Sequence, residues 1–172
     1  MQKILFSKQD IAERVQDLGM QITNDYQGRP LVLIGVLKGA FMFLADLARA
    51  VDLPVEIDFI RVASYGDATT TSGTVRLTKS PEVDLAGKHV LLVEDIVDTG
   101  TTLVWLRQYF KEHKAASVKM CALVDKFGRR ESEVFIDYAG FQVEQGFLIG
   151  YGLDYAEQYR NIPEIREGLP DE

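Results

Sequence analysis

The chain has 172 residues, of which 47% are apolar and 26% charged, with a formal net charge of -7. That is enough for one domain with a sizeable core. The acidic balance excludes a broad basic face of the kind that grips nucleic acid. The one cysteine, Cys121, rules out an internal disulfide and lies in an apolar run, where inert core packing is the expectation.

The first residues, MQKILFSKQDIAERV, hold neither a long apolar segment nor a small-residue cleavage site. No stretch of the chain approaches the ~20 apolar residues that span a bilayer. A cytoplasmic, unprocessed protein without membrane contact is the expectation. Ser7 and Asp10 have capping-box spacing, and Ile11, Val15, Leu18 and Ile22 recur at helical intervals until Gly28-Arg29-Pro30. Leu31 to Leu37 is a continuous apolar run, the pattern of a strand buried on both faces. Lys38-Gly39 makes a turn, and Phe41, Leu44, Leu47 and Ala48 mark one face of a helix from Ala40 to Ala50.

Val55 to Ala63 is rich in β-formers and reads as a strand. Ser64 to Thr74, SYGDATTTSGT, has little to bury. It reads as a mobile loop, plainly a hairpin connection or functionally a lid that closes Ser64 and Tyr65 over a reacting centre. Val75 to Thr78, Val90 to Val93 and Val118 to Val124 read as further strands, with Val134 to Ile136 and Phe147 to Ile149 as shorter ones. Thr102 to His113 reads as a helix. Strands alternating with helices predict an α/β fold, a central parallel β-sheet flanked by helices with right-handed crossovers. With no repeat or linker, residues 1–172 form a single domain in this reading.

The segment VLLVEDIVDTGTT, residues 90–102, carries the most chemistry. An apolar strand meets Glu94 and Asp95, then Asp98, and then Thr99, Gly100, Thr101 and Thr102 ahead of a helix. A tight loop at a helix start can hold a phosphate on its N–H groups. Adjacent carboxylates repel unless hydroxyl donors or a cation sit between them. Phosphate, sugar and divalent cation together suggest a phosphorylated ribose. The plainer reading is a strand edge before an N-capped helix, since acidic and hydroxyl residues favour helix starts. No lysine follows Gly100 as a P-loop needs, and no G-x-G-x-x-G occurs between strand and helix.

VEDIVDTGTT has the form of the phosphoribosyl-pyrophosphate signature of type I phosphoribosyltransferases. The resemblance continues in Leu37-Lys38-Gly39, Ser64-Tyr65, Val124-Asp125-Lys126 and Phe147 to Tyr155. These occur in the order seen in hypoxanthine-guanine phosphoribosyltransferases, the bacterial ones in particular. The resemblance implies transfer of 5-phosphoribosyl from phosphoribosyl pyrophosphate to N9 of hypoxanthine or guanine, with Mg²⁺ as cofactor.

It also implies a hood subdomain made from both chain ends, and a homo-oligomer, dimer or tetramer. Glu94 and Asp95 would meet the ribose hydroxyls directly or through the metal. Asp98 would be the general base near purine N7, and Asp98 to Thr102 would cradle the 5′-phosphate. Lys38, Gly39, Ser64, Tyr65 and Arg160 would face pyrophosphate, the first through a loop that in the family often contains a non-proline cis peptide. Lys126 would donate to O6, Phe147 would stack on the purine, and Leu148 would offer backbone groups. Asp154 would lie at the purine and hold a second Mg²⁺ through waters. Arg130, in the basic run DKFGRR, could also serve pyrophosphate.

Taken one by one, these residues have plainer roles: Lys126 as a solvated strand end, Phe147 as core, Arg160 as a surface arginine. Trp105 and Tyr109, four apart, suit core or interface alike. A non-catalytic sensor of phosphoribosyl pyrophosphate with the same fold is the alternative reading. A xanthine-selective enzyme would need a further donor for the 2-oxo group.

Overall fold

The computed structural model describes residues 2–65 and 74–168, without the side chains of 64, 65 and 74. Along the chain run β1 (Lys3–Phe6), α1 (Lys8–Asp25), β2 (Leu31–Leu37), α2 (Phe41–Ala50), β3 (Val55–Tyr65) and β4 (Thr74–Lys79). Then come β5 (His89–Val97), α3 (Thr101–Glu112), β6 (Ser117–Lys126), β7 (Tyr138–Val143), β8 (Leu148–Ile149) and β9 (Ile165–Glu167).

Six strands form a sheet in the order β4-β3-β2-β5-β6-β7. All neighbours are parallel except β3 and β4, which form an antiparallel hairpin at one edge. Leu31, Leu33, Leu91 and Val93 face α1 and α2, while Val32, Ile34, Val90 and Leu92 face α3. This alternation explains why β2 and β5 read as unbroken apolar runs: both faces are covered. On α2 the buried side chains are Phe43, Leu44 and Leu47, whereas Phe41 is partly exposed, so the apolar stripe is rotated from the predicted one. Ser7 caps α1 through a complete capping box with Asp10.

From β2 the chain crosses to β3 on one side, and β5 returns on the other side of β2. The carboxyl ends of β2 and β5 therefore flank a topological switch point, where open α/β sheets bind ligands. A separate three-stranded sheet, β1-β9-β8, joins two distant parts of the sequence. Its short strands pair antiparallel and stand beside the main core through Ile165 and Leu148.

Several expected boundaries move. β5 runs on through Glu94 and Asp95 to Val97, so the carboxylates belong to the strand rather than to a loop beyond it. Val134 to Ile136 is not a strand; Val134 and Ile136 pack on the α3 side of the core, and the pairing strand is Tyr138–Val143. Its partner β6 approaches it closely at Gly140, where a Cβ would lie 2.4 Å from the Leu123 carbonyl oxygen. Ser64, Tyr65 and Thr74 belong to strands, and the rest of the expected lid, residues 66–73, lies outside the described residues. Cys121 is buried, and burial pushes its thiol far above the ordinary range, as suits a packing role.

Candidate active site

The loop after β2 and the end of β5 meet directly. Leu37–Lys38 is a cis peptide. The next residue, Gly39, lies so close to β5 that a Cβ there would be 1.8 Å from Asp95 Oδ2. No residue but glycine fits that contact. From the other side comes the segment after β8, where Gly152 packs on the Gly39 carbonyl.

Glu94 and Asp95 are partly exposed in this cleft. Desolvation, reinforced by the adjacent Asp95, holds the Glu94 carboxyl well above its usual range. Desolvation also raises Asp95, against the N–H of Ile96, which donates to its Oδ1 at 2.9 Å. Two crowded carboxyls of this kind suit a cation that arrives with further oxygen ligands of its own. Among the described residues, no three His, Cys, Asp or Glu side chains form a ready-made metal cage. Asp154 is engaged elsewhere: its Oδ1 lies 2.9 Å from Arg160 and its Oδ2 accepts from the Glu157 N–H at 2.9 Å.

Beyond Asp95 a pocket of about 190 Å³ opens, lined by Glu94, Ile96, Val97, Asp98, Thr99, Gly100, Thr102 and Leu103. Gly100 has φ +84° and starts α3 without a side-chain cap, which leaves the first helix N–H groups for an anion. The loop is braced from outside. The Thr99 carbonyl accepts from Glu131 and Ser132, and Arg130 Nε donates to the Asp98 carbonyl at 3.0 Å. Arg130 also pairs with Asp125, so its guanidinium secures the loop instead of pointing into the cleft.

Asp98 lies 3.0 Å from Lys126 Nζ through Oδ2, with Arg129 at 3.7 Å. Its Oδ1 is buried without a hydrogen-bond partner. Lys126 ends β6 and also donates to the Gly146 carbonyl at 3.4 Å. Next to Gly146, the Phe147 ring is 42% exposed, although an apolar ring of this size would gain by burial. Tyr155 meets it edge-on, with centroids 5.7 Å apart. Leu148 is buried in β8, so only its backbone can face a ligand.

Arg160 donates to the Gly152 carbonyl at 2.7 Å, and Lys38 pairs with Glu157. The backbones of Ser64 and Tyr65 lie at the end of β3.

Residues 1–156 match the phosphoribosyl transferase domain family. The chain belongs to that family. This phosphoribosyl transferase domain is 45% identical over 172 residues to the hypoxanthine phosphoribosyltransferase of Haemophilus influenzae, covering 98% of this chain and 96% of that one. It is 43% identical to the hypoxanthine-guanine phosphoribosyltransferase of Bacillus subtilis, covering 96% and 92% of the two chains. The fold superposes on a hypoxanthine phosphoribosyltransferase from Staphylococcus aureus with a TM-score of 0.94 at 40% identity, covering 98% of this chain and 91% of that one.

The sequence left Glu157, Arg129 and Tyr155 without a role. The spacing Asp154, Glu157, Arg160 was a usable signal, because charges three apart in a tight turn can interact.

Proposed function

We propose that the chain transfers a 5-phosphoribosyl group from phosphoribosyl pyrophosphate to N9 of hypoxanthine, and of guanine, releasing pyrophosphate in purine salvage. The observation that carries this reading is the arrangement of Lys126, Asp98 and Phe147 beside an anion pocket.

Each part has a chemical task. The exposed Phe147 ring offers a stacking face for a base. Lys126 has only donors, so it accepts a 6-oxo group and rejects the 6-amino group of adenine. Asp98 keeps Oδ1 unpaired, an acceptor for the proton that the purine must release as its bond to C1′ forms. The phosphate would lie on the first N–H groups of α3, and Glu94 and Asp95 would hold the ribose hydroxyls. Lys38, Gly39 and Arg160, with Ser64 and Tyr65, would meet the leaving diphosphate. Mg²⁺ held by Glu94 and Asp95 would neutralise charge building on the diphosphate. A second ion would reach Asp154 only through waters, since both of its oxygens are already paired within the turn. An acid-rich cleft also suits an oxocarbenium-like sugar, which needs nearby negative charge.

The sensor reading is less favoured, because the base-facing residues Lys126 and Phe147 serve nothing in a protein that reads only phosphoribosyl pyrophosphate. No helix among the described residues is long and apolar enough to cross a membrane. A cytoplasmic homo-oligomer, dimer or tetramer, completes the proposal.

The test is to incubate the protein with hypoxanthine, phosphoribosyl pyrophosphate and Mg²⁺ and separate nucleotides by chromatography. IMP formed in step with pyrophosphate is the expected result; no nucleotide would overturn the reading.

A further inference from the structure

Lys38 and Arg160, on different segments, share one counter-charge. Glu157 reaches Lys38 Nζ with Oε2 and Arg160 Nη2 with Oε1, the latter at 3.4 Å. The turn that carries it is built to aim it there. Ala156 and Glu157 have φ of +50° and +66°, and the Glu157 N–H is fixed on Asp154. Two successive non-glycine residues in the left-handed region are uncommon and need support from their surroundings.

Arg160 does not need Glu157 for its orientation. Its guanidinium is already held at 2.7 Å by the Gly152 carbonyl and at 2.9 Å by Asp154. The Glu157 side chain is 63% exposed, so no buried packing holds it in place. Glu157 and Arg160 also line an open hollow of about 470 Å³ with Phe41 and Met42 of α2. There is therefore room for the carboxylate to swing away and for a larger anion to enter.

We infer that Glu157 is an internal competitor of diphosphate: its carboxylate occupies Lys38 and Arg160 in the free protein and is displaced when a diphosphate binds. The inference rests on the proposed pyrophosphate role of those two cations. The exchange is inexpensive, because an exposed ion pair contributes little to stability. The residue that remains nearby is a negative charge facing a multiply charged ligand. That repulsion lowers affinity for the diphosphate end of the substrate and also hastens release of pyrophosphate after transfer.

A residue that merely positioned the two cations would have the opposite effect, which makes the sign decisive. Titration calorimetry of inorganic pyrophosphate with Mg²⁺ is run on the wild type, Glu157→Gln and Glu157→Asp. Glu157→Gln should bind about tenfold tighter, the scale of removing one charge a few ångströms from a polyanion. The gain should shrink as salt rises. Glu157→Asp should stay near the wild type. In steady state, Glu157→Gln should lower KM for phosphoribosyl pyrophosphate without raising kcat. Equal or weaker pyrophosphate binding by Glu157→Gln would overturn the inference while leaving the cation roles intact. No pyrophosphate binding by the wild type would instead remove the reading on which the inference rests. The substitution is exposed, and an unchanged melting temperature confirms that folding is not at issue.

Discussion

Asp98 gives one carboxylate oxygen to Lys126 at 3.0 Å and keeps the other buried without a partner. The pairing links the loop after β5 to the end of β6, so the expected base and the expected base-selecting cation come as a unit. An unpaired buried acceptor is costly in a folded protein, and a ligand proton or a water would relieve it.

Asp98→Asn replaces that acceptor capacity with an amide while keeping the shape. Turnover should fall about a hundredfold or more, the usual scale for a positioned base. The fold should stay intact, with a small drop in melting temperature from the weakened Lys126 pair. Single-turnover kinetics beside thermal unfolding would check this, and wild-type turnover would remove Asp98 from the chemistry.

Lys126→Met should lower kcat/KM for hypoxanthine by about a hundredfold and leave adenine little changed, so that the selectivity ratio collapses. The scale is that of losing one hydrogen bond from a charged donor. Parallel kinetics on the two bases measure it.

Gly39→Ala would push a methyl into Asp95, whose Oδ2 lies 1.8 Å from the ideal Cβ position. Either the carboxylate or the loop must move. Activity should drop more than stability does, because the contact lies at the rim of the site. Turnover and the denaturation midpoint, measured on the same preparation, separate the two effects.

Asp58 gives a pH prediction outside the site. Its side chain is buried at 8% exposure and accepts from the N–H groups of Val83, Glu82 and Phe59, with Lys79 nearby. Burial pushes the carboxyl up, but those bonds outweigh it and hold the carboxyl below its ordinary value of 3.8. A depressed folded pKa means stability that is present above the unfolded value and lost as pH falls through the folded one. Wild type should exceed Asp58→Asn in stability at pH 7, by about 1–3 kcal/mol. The difference should vanish under acid below the ordinary value. Urea unfolding across pH checks the sign.

Much of this was legible from residues alone. Leu31–Leu37 coincides with its predicted strand because both of its faces are buried, and such runs announce themselves. The carboxylates of 94–98 stood out because their crowding needs a reason. Local pattern failed where long-range pairing decides. Lys3–Phe6 and Ile165–Glu167 are too short to show a period and exist because they pair with each other. The apolar Val134 and Ile136 imitate a strand, yet they fill a gap against α3, while the glycine in Tyr138–Val143 disguises the real one. Glu157 had no role in the sequence, and only the folded turn brings it to Lys38 and Arg160.

The most direct measurement is the steady-state rate of nucleotide formation from phosphoribosyl pyrophosphate and Mg²⁺ with hypoxanthine and with adenine under identical conditions. The expected result is rapid IMP formation and negligible AMP formation. Comparable rates with the two bases, or no nucleotide with either, would contradict a site in which Lys126 selects a 6-oxopurine for transfer at Asp98.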